Sequence, residues 1–341
     1  MSRTISDHFQ PRKQFIIGAH YRTLAEHVRT AFATEYITPA GRILSDSPTA
    51  YALALQFNLF TTEEQRQHAG EKLVALVHKS GYHINTGFVG TPLICDALCS
   101  LGRNDIAYRL LLQHECPSWL YPVTMGATTI WERWDSLRPD GSINPGQMTS
   151  FNHYALGTVA DWLHRFVAGL SPVAPGYRHM VIQPHPGGSL THAHARHQTP
   201  YGSAESGWNI EQGHITIEVR IPPNTTAQVI FPGNDNQPPV DIRSGTHRWS
   251  YPYRDTIAHS SLSLESTIDE LIDDPVAWEA VKELLHEKIP TLAPMLIRQM
   301  QTYGNVIIRQ ALSIIPYSDP IVTTIETTFN ELRHPSTKEQ N

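Results

Sequence analysis

The sequence predicts a multi-domain α and β protein: an array of helical hairpins, then a small antiparallel β-sandwich, then a helical tail. Three shifts of pattern predict it. Apolar residues recur at helical period up to about Leu170, alternate at period two from about Gly176 to Tyr253, and return to helical period from about Ser266. The boundaries drawn from these shifts are 1–170, 171–253 and 254–341. A length of 341 residues suits two or three modules. With 40% hydrophobic and 17% charged residues, the chain has the apolar content to bury a core.

In the first segment Leu24, Val28 and Phe32 repeat at four-residue spacing. Ser47-Pro48 reads as an N-cap with proline in the first turn. The following run, Tyr51 to Phe60, is apolar on nearly every face, as in a helix enclosed by others. Thr61 with Glu64 reads as a capping box for a helix carrying Leu73, Val74, Leu76 and Val77. Pro92 opens a helix with Leu93, Ile94, Ala97, Leu98 and Leu101, stopped at Gly102. Asn104 caps another, with Ile106, Ala107, Leu110 and Leu111. A long irregular stretch rich in Trp, Pro and Gly runs from Glu115 to Thr149. Ser150 then caps a helix carrying Leu156, Val159, Ala160, Leu163 and Val167. Helical hairpins joined by one long aromatic loop suggest a helical barrel or solenoid with a site at one end.

The β segment shows Ile215, Ile217, Val219 and Ile221 alternating with polar residues. Ala204, Ser206, Trp208 and Ile210 give a second strand, and Val229 with Phe231 a third. Pro186-Gly187-Gly188, Pro200-Tyr201-Gly202, Pro222-Pro223-Asn224 and Pro232-Gly233-Asn234 are the turns between strands. In the tail, Ala277, Val281, Leu284 and Leu285 form one helical face. Leu296, Ile297 and Met300 begin another, and Ile307, Leu312 and Ile315 continue it. Nothing in the tail reads as chemistry.

The net charge of −6 excludes a nucleic-acid-coating or polybasic membrane protein, since neither can do without clustered Lys and Arg. Cys95, Cys99 and Cys116 are too few for a disulfide framework or a four-thiolate zinc site. No apolar run approaches the roughly 20 residues of a membrane span, and Met1-Ser2-Arg3 leads into polar sequence. A cytoplasmic chain with no membrane or nucleic-acid partner is the expectation. His192, His194 and His197 have metal-like spacing. However, His192, His194 and Arg196 fall on one strand face, with no Asp, Glu or Cys nearby to complete a site. No metal and no cofactor is expected. No Walker loop, Gly-x-Gly-x-x-Gly after a strand or Gly-x-Ser-x-Gly elbow is present, so nucleotide and serine-hydrolase chemistry has no support.

The informative segment is Thr128-Thr129-Ile130-Trp131-Glu132-Arg133-Trp134-Asp135. A carboxylate between two indoles suits a sugar. Indole faces stack on the C–H face of a pyranose, while a carboxylate activates water or stabilises an oxocarbenium-like transition state. Trp119 and Tyr121, upstream in the same loop, extend such a platform. Equally, two tryptophans and a Glu–Arg pair are what packs a loop. His153 falls in the first turn of the helix capped by Ser150, where its ring can meet a sugar hydroxyl, although a lone histidine is more often structural.

At these residues the sequence resembles the α-L-rhamnosidases of glycoside hydrolase family 78. The matching stretches are Thr86-Gly87-Phe88-Val89-Gly90-Thr91-Pro92, Pro117-Ser118-Trp119-Leu120-Tyr121-Pro122, Gly126 through Trp134, and Ser150 through Gly157. Pro175-Gly176-Tyr177 and Thr199-Pro200-Tyr201-Gly202 follow in the family's order, so the resemblance covers about residues 15–250 and leaves out the tail. It implies an (α/α)6 barrel followed by a β-sandwich, and inverting hydrolysis of a terminal α-L-rhamnose in a rhamnose-containing glycoside. The resemblance makes Glu132 the general base and His153 a sugar-binding residue, with Trp131 and Trp134 as pocket walls, to which the residue reading adds Trp119 as a substrate-binding candidate.

One departure from the family stands out. Its general acid belongs to an upstream Arg-x-Glu-Arg motif, and this chain has none, so residues 1–170 correspond to the C-terminal half of the barrel. A half-barrel leaves apolar faces such as Tyr51–Phe60 open. A truncated gene, a split enzyme completed by an N-terminal half polypeptide, and a decayed paralogue all fit that pattern. The rival to a hydrolase is a non-catalytic carbohydrate-binding or assembly remnant that keeps the aromatic pocket.

Overall fold

The structure, a computed structural model, describes residues 11–234, 237–253, 262–304, 306–313, 315 and 319–333. The expected boundary at 253/254 and both chain ends lie outside these residues. They form two compact units, one from residues up to 77 with 82–163, the other from 78–81 with residues from 164 onward. No helix among the described residues is long and apolar enough to cross a membrane.

The first unit is helical. Helix α1 (Pro11–Tyr36) carries the Leu24–Val28–Phe32 repeat, but not as core: Leu24 is 45% and Val28 55% exposed. No other described element packs extensively on α1, so its stripe stays open. Helix α2 (Pro48–Gln56) starts as the sequence predicts, with Ser47 Oγ accepting from the Ala50 N–H at 3.3 Å and proline in the first turn. Tyr51, Ala52, Ala54, Leu55 and Phe60 are buried, whereas Phe57 is 53% exposed, so the run is covered over its helical part and open at its C-terminal end. Tyr51 donates its hydroxyl to Asp46 at 2.7 Å; burial and that contact push the phenol up to about 12.

Helix α3 (Glu63–Lys79) is capped one residue later than expected. Thr62 Oγ1 accepts from Gln65 N, while the Gln65 side chain turns back to the N–H and hydroxyl of Thr61. Gln65 therefore does what Glu64 was expected to do, because the helix begins at 63. Helix α4 (Thr91–Cys99) packs on α2, and α5 (Asn104–Leu112) packs on α4 through Ile106, Ala107, Leu110 and Leu111. Asn104 is the first helical residue of α5, not its cap; the cap position belongs to Arg103, which makes no side-chain cap bond. A short α6 (Leu120–Thr124) interrupts the stretch expected to be irregular.

The last helix of this region begins at Ala155, not Ser150. It runs as a 3₁₀ turn (Ala155–Thr158), α7 (Val159–Trp162) and a π-turn (Leu163–Val167). Of the predicted apolar face, Leu156 and Val167 are buried, Val159 and Leu163 are partly exposed and Ala160 is exposed, because the changes of helix type break the single period. Ser150 is diverted into pairing with an earlier loop, described below.

In the second unit β1 (Leu170–Pro172), β2 (His179–Ile182), β3 (His192–Thr199), β4 (Gly202–Glu211), β5 (His214–Val229) and β6 (Val240–Pro252) form one sheet. Its order is β1-β2-β5-β4-β3, with β6 on β5. The alternation of β4 and β5 is as read from sequence, with Ile215, Ile217, Val219 and Ile221 buried. Pro200-Tyr201 makes the two-residue hairpin between β3 and β4.

Two expectations fail. Pro222-Pro223-Asn224 is not a turn: β5 runs through it as a bulge, with Asn224 at φ 61 and Thr225 donating to Pro222 O at 2.7 Å. Val229 consequently ends β5, and does not start a third strand. The sheet is also not purely antiparallel, since β2 pairs with β5 in parallel. Two intervening strands separate them in sequence, which gives the chain length a parallel return needs. Trp208 Nε1 donates to Val167 O at 2.7 Å and Ser206 Oγ to Ala168 O at 2.6 Å, tying β4 to the end of the preceding helix.

Beyond the sheet lie α8 (Ile268–Asp273), α9 (Pro275–Lys288), α10 (Ala293–Thr302), α11 (Ile308–Leu312) and α12 (Asp319–Arg333). Thr267 and Glu270 close a reciprocal capping box on α8, and Asp274 caps α9. Of the tail residues picked out by periodicity, Ala277, Val281, Leu285, Leu296, Met300, Leu312 and Ile315 are buried, Leu284 and Ile297 partly so, and Ile307 is exposed.

Candidate functional site

The loop after α6 turns at Gly126, φ +79, and enters a stretch with no helix or strand. Its backbone groups are satisfied by a second loop. The His153 N–H donates to Ile130 O at 2.8 Å, the Glu132 N–H donates to Ser150 O at 2.9 Å, and the Thr129 hydroxyl donates to Phe151 O. Residues 129–132 thus lie beside 150–153, bringing two motifs some twenty residues apart into one place. The pairing also explains why Ser150 does not cap a helix: its backbone is committed to Glu132 on both sides. The Ser150 N–H donates to Glu132 Oε2 at 3.1 Å. Glu132 is half-buried, and its Oε1 carries no hydrogen bond among the described residues.

Glu132 turns to Ser150, while its neighbours Trp131 and Arg133 face a cavity of about 310 Å³. That is the lower end of the roughly 300–1,000 Å³ of small-molecule sites. Trp119, Trp134, Ile130 and Leu156 complete its main walls. Trp119 donates Nε1–H to Leu156 O at 2.9 Å and meets Trp134 edge to face, centroids 6.0 Å apart. Trp131 is only 4% exposed and packs edge to face on Phe151. The three predicted tryptophans therefore share one cavity, Trp131 largely as a buried wall and Trp119 and Trp134 as half-open faces. Tyr121 does not join them. It is 7% exposed, and its hydroxyl donates to Leu137 O at 2.9 Å.

Arg133 does not pair with Glu132. It grips Asp135 through Nε to Oδ1 at 2.6 Å and Nη2 to Oδ2 at 3.2 Å. Asp135 also accepts from Asn144 Nδ2 at 2.8 Å, and Asn144 Oδ1 accepts from the Gly146 N–H at 2.9 Å. Sequence reasoning missed this clamp. The available signal was Arg-x-Asp in a loop, which has no period to give it meaning until the fold brings Asn144 alongside.

His153 is not in a helical first turn but in the paired loop. Its ring stacks between Phe88, centroids 4.8 Å apart, and Tyr154, 5.4 Å apart. Its Nδ1 accepts the Ala155 N–H at 3.2 Å. Neither Glu132 nor His153 lines the cavity itself. Cys116, upstream of the site loop, has its thiol pushed up to about 11 chiefly by burial and so stays a thiol at neutral pH, which removes it as a nucleophile.

No group of three or more His, Cys, Asp or Glu among the described residues is placed to hold a metal ion. His192, His194 and Arg196 are exposed on β3, as the alternation predicts. The expectation that no acidic residue lies nearby is wrong, because antiparallel pairing sets Glu205 opposite Arg196, with His194 Nε2 3.6 Å from its carboxylate. Arg196 and Arg220 also lie within ion-pair distance of Glu205, making this a surface charge cluster.

Residues 15–167 match the bacterial alpha-L-rhamnosidase 6 hairpin glycosidase domain, and residues 169–244 the bacterial alpha-L-rhamnosidase C-terminal domain. An alpha-L-rhamnosidase of Streptomyces avermitilis is 39% identical over 249 residues, 68% of this chain and 24% of that protein. One from Formosa agariphila is 38% identical over 64% of this chain and 24% of its own length. The crystal structure of the native Aspergillus terreus alpha-L-rhamnosidase superposes with a TM-score of 0.67 at 42% identity, over 70% of this chain and 28% of that one. The Streptomyces avermitilis enzyme complexed with L-rhamnose gives a TM-score of 0.65 at 38% identity, over 69% and 24% of the two chains. The chain spans about a quarter of the length of the curated relatives it matches.

Proposed function

We propose, from the premise that residues 15–167 and 169–244 of this chain belong to the bacterial α-L-rhamnosidase family, that it takes part in inverting hydrolysis of terminal α-L-rhamnose with Glu132 as general base. One observation carries the reading. The Glu132 carboxylate is fixed through Oε2 by the Ser150 N–H, leaving Oε1 without a partner beside a tryptophan-walled cavity. A carboxylate with one oxygen held and one open is oriented to take a proton from water. On this reading the indole faces hold the C–H side of the sugar in the cavity, and Glu132 and His153, which do not line it, meet the part of the sugar that projects past its rim.

Inversion also needs an acid on the leaving oxygen, with the two carboxyl groups roughly 6.5–9.5 Å apart. Asp135, the other carboxylate beside the cavity, is committed to Arg133 and Asn144 and is not that acid. No acid is therefore identified beside the cavity among the described residues. The same observation favours the second reading, carbohydrate binding without cleavage.

The test uses para-nitrophenyl α-L-rhamnoside, whose nitrophenolate leaves with little help from an acid. The full chain is expected to release rhamnose from it, and Glu132→Gln to lower kcat by about 10²–10⁴-fold. Near-parental kcat in the variant sinks the base assignment. Binding of the glycoside without any release favours the second reading.

A further inference from the structure

Arg133 is the charged residue in the wall of an otherwise mostly apolar cavity, and its position is over-determined. Nε and Nη2 bind the two oxygens of Asp135, and Nη1 donates to Gln147 O at 3.3 Å. Asp135 is in turn held by Asn144. The backbone leaves no slack behind the guanidinium, because a Cβ placed on Gly146 would sit 2.7 Å from Arg133 Nη1. A guanidinium has five N–H donors in a rigid fork. Three are used here, which leaves one on each terminal nitrogen.

We propose that Arg133 is a specificity-determining residue of this cavity, gripping a vicinal pair of sugar hydroxyls through these two remaining donors, with Asp135 and Asn144 as its positioning residues. The inference rests on the rhamnoside reading of the site and adds the polar half of recognition that the tryptophans cannot supply. Stacking on an indole senses the apolar face of a pyranose but barely distinguishes one hydroxyl pattern from another. Two parallel N–H donors at fixed spacing fit two neighbouring hydroxyl oxygens and reject a ring that lacks either one. Without the Asp135 clamp the long arginine side chain would have to be ordered at the moment of binding, at an entropic cost.

The experiment is a fluorescence titration of the full chain with L-rhamnose and with 2-deoxy- and 3-deoxy-L-rhamnose, reading the cavity tryptophans. The parental chain is expected to bind L-rhamnose and to bind at least one deoxy sugar about tenfold more weakly. Arg133→Lys, which keeps the charge and loses the fork, is expected to weaken L-rhamnose about tenfold and to abolish the preference over the deoxy sugar. Asp135→Asn is expected to weaken L-rhamnose by a smaller factor, with the preference reduced. Both variants should keep parental circular dichroism, and if Arg133→Lys does not fold, Asp135→Asn carries the test. Folded variants with parental affinity and parental preference overturn the role of Arg133 while leaving the rhamnoside site intact. A parental chain that binds none of the three sugars overturns the rhamnoside reading itself.

Discussion

The Ala155 N–H that donates to His153 Nδ1 settles where a neutral imidazole carries its proton, namely on Nε2. Stacking between Phe88 and Tyr154 then fixes the plane in which that donor points. Under the proposed function Nε2–H meets a sugar hydroxyl. His153→Ala is expected to weaken L-rhamnose binding by about 1–3 kcal/mol, because a desolvated hydroxyl loses its partner. Titration calorimetry reads this directly, and unchanged affinity would leave the ring only its packing between two aromatics. The sequence showed His153 as a candidate, and its environment was hidden: Phe88 lies 65 positions away, and the helix expected at Ser150 starts five residues later.

Elements whose signals are local were legible in the sequence, and those that depend on a distant partner were not. Ser47-Pro48 caps α2 as read, and the alternation from Ile215 to Ile221 is a strand with its apolar face buried, since cap and pleat are decided within a few residues. Ser150 carries the same N-cap chemistry, but pairing with Glu132 outcompetes it. The proline pair in β5 reads as a turn, yet strands on both sides hold it extended as a bulge. In the site, the tryptophans and Glu132 stood out by residue type, while the Arg133–Asp135–Asn144 clamp needed the fold to assemble it.

A sharper case of element-scale constraint is Gly169, at the junction between the π-turn and β1. It sits at φ +81, and a Cβ there would lie 2.2 Å from the Pro184 nitrogen and 2.4 Å from the Gln183 carbonyl carbon. Both contacts are backbone, so no side chain can swing away. Gly169→Ala should cost about 3 kcal/mol or more, from left-handed strain and overpacking together. Urea denaturation followed by circular dichroism checks it, and a midpoint equal to the parental one would show that this junction relaxes freely.

At the scale of the whole molecule, the helical unit holds the aromatic cavity and Glu132, while the second unit holds the sheet and the helical tail beyond the family match. The match spans about a quarter of its relatives' length, and the apolar stripe of α1 lies open among the described residues. Under the proposed function Glu132 supplies the base and no acid is identified beside it. Turnover would then depend on how readily the leaving group departs unaided, whereas the face from which water attacks would be dictated by Glu132. The stereochemistry of the product therefore tests the base assignment independently of the acid. The most direct measurement is proton NMR of the first sugar released by the full chain from para-nitrophenyl α-L-rhamnoside, recorded before mutarotation mixes the anomers. The account predicts β-L-rhamnose as the first product; α-L-rhamnose appearing first would contradict it.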